Sequence, residues 1–267
     1  MAHWLQTSVL PAAIAAAVLL LVLWPTEHSG RRLLQTWGIP RPNPAQIHAA
    51  VRYLRQRRVL YVVLFLVFPP LAGLVDPDID RLPGIGIFVP LLVAMLVAEL
   101  IATLRPVSGV RTASLDRRSW RDLVPRWAVH TTAAAAIVTV VLAVAGIVAG
   151  PGTAWLALGY VVACLLVVSL LVALAVRRPS VSDEAVDAAL RTRTARVAVG
   201  IGFGWLGTAL TVATGHLRSL VVFRSDHAGL GYLVHALDVA DLVVIAGTIV
   251  CWLWVAVPSR RSLAAAR

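Results

Sequence analysis

Lysine is absent from this 267-residue chain, and all 24 basic residues are arginine. Without a side-chain amine there is no retinal or pyridoxal Schiff base and no lysine for a phosphate-binding loop. Cysteine is nearly absent too. Cys164 and Cys251 lie far apart, so there is no CxxC pair and no cysteine cage for a metal. Both sit among aliphatic residues and are expected to be inert buried thiols. HExxH and GxSxG are missing, which removes the usual metalloprotease and serine-hydrolase signatures. Charged residues make up only 14% of the chain, about half the share in soluble domains. No catalytic constellation, cofactor or metal is implied, and the chain is not expected to be an enzyme.

Apolar residues take the vacated share, at 59% with a mean hydropathy of +0.83. They fall into seven runs: 8–24, 59–75, 85–104, 128–149, 154–176, 197–214 and 239–257. Each is within the roughly 17–25 residues a membrane-spanning helix needs. Hydrocarbon offers no partner to a backbone N–H or C=O, so a helix is the expected form of each run. The fold expected is an all-α polytopic membrane bundle of seven spans, forming a single membrane domain over 1–267.

The arginines set the orientation. The gaps 25–58, 105–127, 177–196 and 258–267 hold 7, 6, 5 and 3 of them, and the other gaps hold only Arg81, Arg218 and Arg224. Arg-rich loops remain in the cytoplasm. The expected topology therefore has the N-terminus outside and the C-terminus inside. The first run lacks a basic residue before it and a small-residue cleavage site after Trp24, so it reads as a permanent anchor and not a signal peptide. The net charge of +11 tracks membrane sidedness: the cytoplasmic segments carry 21 Arg against 6 acids, the outer segments 3 Arg against 5. It is not a nucleic-acid signature. Localisation in a bacterial cell membrane follows. Trp4 and Trp155 fall at the outer interface, and Trp24, Trp120, Trp127, Trp252 and Trp254 near the inner one. Trp205 falls mid-span, as core packing or as a cavity wall.

Two cytoplasmic gaps carry helix signals. Asn43-Pro44 offers an N-cap followed by proline at the first helical position, opening a helix over about 44–58 that runs into the second span. Ser180-x-x-Asp183 resembles a capping box opening a helix over 183–196. Both read either as juxtamembrane helices against anionic headgroups or a cytoplasmic protein partner, or as plain solvated helices.

Glu99 is the one acid deep in a span, near its cytoplasmic end. His130 lies just inside the next span, and the two are expected to pair. An intramembrane ionisable group marks a site candidate; the alternatives are a structural bond or a carboxylate reaching towards Arg105. A second concentration lies outside: His216, Arg218, Arg224, Asp226, His227, His235, Asp238 and Asp241. Its chemistry is open between salt bridges from Arg218 or Arg224 to the aspartates, a ligand or proton site, and a transition metal, whose usual spacing it does not match. The string Gly202–Gly207 spells GxGxxG but follows no strand, so a dinucleotide loop is excluded. Gly200, Gly204, Gly207 and Thr208 instead share one helix face and predict close helix packing. Pro11, Pro69, Pro70 and Pro90 predict kinks in the outer halves of the first three spans.

The stretches Trp37-Gly38-Ile39-Pro40, Ala50–Arg58 and Arg111–Trp127, with the all-arginine, Ala/Val-rich composition, resemble uncharacterised multi-pass membrane proteins of high-GC actinobacteria. That resemblance implies a membrane bundle and carries no activity or site residues. Two functions compete: a permease-like or transport-associated component, and a regulatory or sensory protein that docks a cytoplasmic partner through its Arg-rich loops.

Overall fold

The structure, a computed structural model, describes residues 20–21, 24–75, 85–104, 111–112, 119–150, 152–177, 180–181, 183–224 and 231–256. Within them the chain is helical: α1 (Glu27–Thr36), α2 (Pro44–Val75), α3 (Ile85–Leu104), α4 (Trp120–Leu123), α5 (Arg126–Ala149), α6 (Ala154–Arg177), α7 (Glu184–Arg224) and α8 (Gly231–Ala256). The sole pairing between strands is a two-residue ladder, β1 (Arg111–Thr112) against β2 (Ser180–Val181), with Arg111 opposite Val181 and Thr112 opposite Ser180.

Among the described residues four helices are long and apolar enough to cross a membrane: Arg126–Ala149, Ala154–Arg177, Glu184–Leu220 and Val234–Val255. Leu91–Leu104 is a shorter apolar helix. The expected run 59–75 forms the second half of α2, and 85–104 coincides with α3. Run 8–24 falls almost wholly outside the described residues. Helix continues through Pro69, Pro70 and Pro90.

The chain divides into two compact units, one formed by residues up to Arg118 with Ala173–Thr194, the other by Ser119–Val172 with Ala195–Val257. In the first, α2 packs along α3, and α1 lies on α2. α1 is fixed at its start by a reciprocal cap between Thr26 and Ser29. Gly30 lets it close on α2: a Cβ there would stand 2.7 Å from Val51 Cγ2. Leu34 then meets Ala50, Tyr53, Leu54, Val186 and Leu190 in a small core. The N-cap at Asn43 forms as expected, with Gln46 N–H donating to Asn43 Oδ1 at 2.8 Å and Asn43 N–H to Gln46 Oε1 at 2.8 Å.

The second juxtamembrane expectation needs correcting. Asp183 itself is the cap of α7, accepting from Val186 N–H at 3.1 Å, while Ser180 lies in β2. The helix does not stop at residue 196 but runs 41 residues into the expected sixth span, about 62 Å at 1.5 Å per residue. The apolar faces of these two helix starts are spent on each other: Val186 and Leu190 of α7 meet Ala50, Tyr53 and Leu54 of α2. Gln46 Nε2 also donates to Asp183 Oδ2 at 2.6 Å, joining the caps of α2 and α7.

The second unit packs as membrane helices do. α5 buries Ala128, Ala136, Thr139, Ala143 and Gly146, and exposes Ile137, Val141 and Val148. Small residues face neighbouring helices and large aliphatics face outwards, the arrangement expected where lipid tails cover the outside. The hydroxyls of Thr131, Thr132, Thr139, Thr208 and Thr211 donate to carbonyls four residues back, so they need no other partner in an apolar setting.

Candidate functional site

The strongest concentration of buried polar chemistry lies in the first unit. Tyr53, Arg57 and Tyr61 follow at one-turn intervals on α2, and so share a face. That face meets Glu99 of α3 and Thr194 of α7. Arg57 and Glu99 are 3% and 0% exposed, which leaves their charges to be satisfied wholly by protein. Arg57 Nε–H donates to both Glu99 oxygens at 2.9 Å. Arg57 Nη2 donates to Thr194 Oγ1 at 2.9 Å, and the Tyr61 hydroxyl donates to Glu99 Oε1.

Thr194 completes the circuit. Its hydroxyl donates to Leu190 O at 2.9 Å, which uses its one proton. The Tyr53 hydroxyl, 3.1 Å away, is therefore the donor in the Tyr53–Thr194 bond. The Tyr53 ring lies 3.7 Å beneath the Arg57 guanidinium carbon and 5.2 Å from that of Arg193, within cation–π range. Burial opposes the charge on Arg57, while Tyr53 and Glu99 favour it. The balance holds the guanidinium above its ordinary range. Thr103 Oγ1 donates to the Glu99 carbonyl at 2.7 Å. Two turns earlier on α7, Asp187 and Arg191 form a second buried ion pair.

The expected Glu99–His130 pair joins residues of different units. Within its own unit Glu99 has Arg57 and Tyr61 as partners, and His130 is exposed on α5 of the other unit. A carboxylate needs donors at hydrogen-bond distance, and α2 supplies them along one face. The signal was present in the sequence as the Tyr53/Arg57/Tyr61 spacing.

Among the described residues the outer polar side chains make separate contacts. Thr214 Oγ1 donates to Asp241 Oδ1 at 2.6 Å. Arg218 and Asp238 form an exposed ion pair, the salt-bridge alternative. His216 is buried elsewhere: its Nε2 lies 3.3 Å from Gly146 O and 3.4 Å from Gly150 O, so as the donor it satisfies terminal carbonyls of α5. Gly152 makes room for it, since a Cβ there would stand 2.0 Å from His216 Cε1. His235 is exposed. Asp226, His227 and the side chain of Arg224 lie outside the described residues. Among the described residues no three His, Cys, Asp or Glu side chains group as metal ligands.

The glycine face meets α8 at two of its members. A Cβ on Gly200 would stand 2.3 Å from Trp252 Cδ1, and one on Gly207 2.6 Å from Thr248 Cγ2. Gly202 faces α6 instead, at Val168 and Cys164. Gly204 offers its carbonyl to Thr208 Oγ1 at 3.0 Å. Trp205 packs edge-on to Tyr160 with ring centroids 6.4 Å apart, which favours its core-packing reading. Trp127 stacks on Phe203 and tilts against Trp254. Both cysteines are free.

No protein-family model, curated protein or solved structure matches the chain. What it does must therefore be argued from its own residues.

Proposed function

We propose that this chain is a multi-pass protein of a bacterial cell membrane, with seven spans, the N-terminus outside and the C-terminus inside, acting as a permease-like component. The observation that carries the transport reading is the fully buried Glu99 carboxylate held by Arg57 and Tyr61. A buried ion pair is a poor source of stability, because desolvation offsets most of its attraction. Ionisable groups within membrane bundles tend instead to mark ion or proton paths. Glu99 is held by one charged donor, Arg57, and one neutral donor, Tyr61. The four apolar helices and the one-sided arginines support the membrane placement.

Reporter fusions test the topology. Those after Asp80, Gly152 and Asp226 read outside, and those after Arg41, Ser114, Ala188 and Ser262 read cytoplasmic. Cytoplasmic signals at both Asp80 and Asp226 would overturn the seven-span arrangement. The transport reading is tested in proteoliposomes loaded with a pH-sensitive dye, under a potassium-imposed potential. The wild-type chain passes protons above protein-free vesicles and Glu99→Gln, held at a temperature where it stays folded, does not. Wild-type flux equal to that of empty vesicles would refute it.

A further inference from the structure

α2 displays a second face, turned away from the ion pair. Along it His48, Arg52, Arg55, Val63 and Val67 are exposed, with Val59 half-buried between them. Their spacing of three or four residues makes one continuous stripe. Its chemistry changes once, from basic through Arg55 to purely aliphatic from Val59. Four residues separate Arg55 from Val59, about 6 Å along a helix, comparable with the depth of a headgroup layer, roughly 5–8 Å per leaflet from bilayer dimensions. Trp24 stands at the change: the Arg55 guanidinium carbon lies 5.1 Å from its ring centroid, and the indole is 41% exposed. Tryptophan with an arginine above it is the pairing that favours a membrane interface.

The two arginines are also unspent. Among the described residues neither Arg52 nor Arg55 has a carboxylate partner, whereas the buried Arg57 and Arg191 both do. Nearby, Arg58 has its proton affinity lowered by burial and by the charge of Arg193, so positive charge accumulates here.

We propose that Arg52, Arg55 and Trp24 form a site for an anionic phospholipid of the cytoplasmic leaflet, the guanidinium groups taking the phosphate and Val59, Val63 and Val67 lying along an acyl chain. The occupant follows from complementarity on both halves of the stripe. A soluble anion would use the arginines and leave the valines bare; an acidic protein would not account for the aliphatic continuation. A lipid matches the order of both. Arginine contributes a planar pair of donors that suits a phosphate oxygen pair. This inference rests on the membrane reading above.

The test uses the full chain in neutral detergent, titrated with phosphatidylglycerol and separately with phosphatidylcholine, with bound lipid counted by native mass spectrometry. The wild-type protein retains phosphatidylglycerol in preference. Arg52→Gln and Arg55→Gln each weaken that binding about five-fold, the effect of one cationic contact at a membrane surface. Arg218→Gln, at the exposed ion pair in the other unit, leaves it unchanged. Equal binding of the two lipids, or unchanged phosphatidylglycerol binding in both arginine variants, overturns the site. Displacement of the lipid by millimolar glycerol phosphate would make the occupant a soluble phosphate and also overturn it. So would an acidic cytoplasmic protein held through Arg52 and Arg55 with no lipid preference. If lipid preference is absent while the fusions keep their topology, this site alone fails; if the fusions fail, the membrane reading fails with it.

Discussion

Removing Arg57 is the sharpest test of the buried network. Arg57→Leu deletes the Nε contacts to both Glu99 oxygens and the Nη2 bond to Thr194, each at 2.9 Å. It also deletes the stacking over Tyr53 at 3.7 Å. Glu99 then stays buried with Tyr61 as its one remaining side-chain donor among the described residues. Breaking a buried pair on one side costs about 3–5 kcal/mol. At roughly 2–4 °C per kcal/mol for a chain of this size, melting falls by about 6–20 °C. Glu99→Gln is milder, at about 1.5–3 kcal/mol, because the amide oxygen can still accept from Arg57 or Tyr61. The double variant Arg57→Leu/Glu99→Leu buries no charge, so it melts closer to wild type than Arg57→Leu alone. The assay is thermal unfolding in detergent at one fixed scan rate, since such unfolding is seldom reversible. A double variant that loses the sum of its two singles would refute the coupling, and with it the claim that the pair acts as a unit.

The remaining predictions concern the glycines and histidines. Gly200→Ala and Gly207→Ala force contacts with Trp252 and Thr248 and lower stability by about 1–3 kcal/mol, whereas Gly215→Ala, which meets nothing within 4 Å, does not; equal melting of all three would remove the close-packing reading. Gly152→Ala drives His216 from its slot and destabilises the protein as much as His216→Ala does, and combining the two adds little; additive losses would separate the residues. His130→Ala and Glu99→Gln give independent effects, and a coupling energy above about 0.5 kcal/mol would restore their pairing.

The apolar runs were legible because hydrocarbon leaves the chain so few choices. Runs 128–149 and 154–176 became α5 and α6 to within two residues. The cap at Asn43 was legible because short polar side chains at helix starts have a local use, whereas at the start of α7 the cap proved to be Asp183 and not Ser180. α1 was not foreseen. It is a short helix with its own Thr26/Ser29 cap, and its apolar side docks near Ile47 and Val51 through Gly30. The helix expected over 183–196 and the span expected over 197–214 are one continuous helix: a change from polar to apolar composition marks a change of surroundings, not a change of backbone. Glu99, singled out as the acid deep in a span, is buried and takes its partner from α2, 42 residues earlier. Loop connection suggested His130; the spacing of Tyr53, Arg57 and Tyr61 held the better answer. The outer polar residues looked like a cluster because they are close in sequence, yet His216, Asp241 and the Arg218–Asp238 pair serve separate contacts.

His216 has a consequence for the order of biogenesis. α5 and α6 are joined by the short segment 150–153, so the pair can form one helical hairpin as soon as both have been synthesised. At that moment the carbonyls of Gly146 and Gly150 lack the imidazole that later bonds them, because His216 lies 66 residues beyond Gly150 in the chain. The hairpin can thus form before it is finished. Its turn is closed by a side chain from α7, and synthesis of that helix becomes the checkpoint at which the earlier hairpin acquires its final partner.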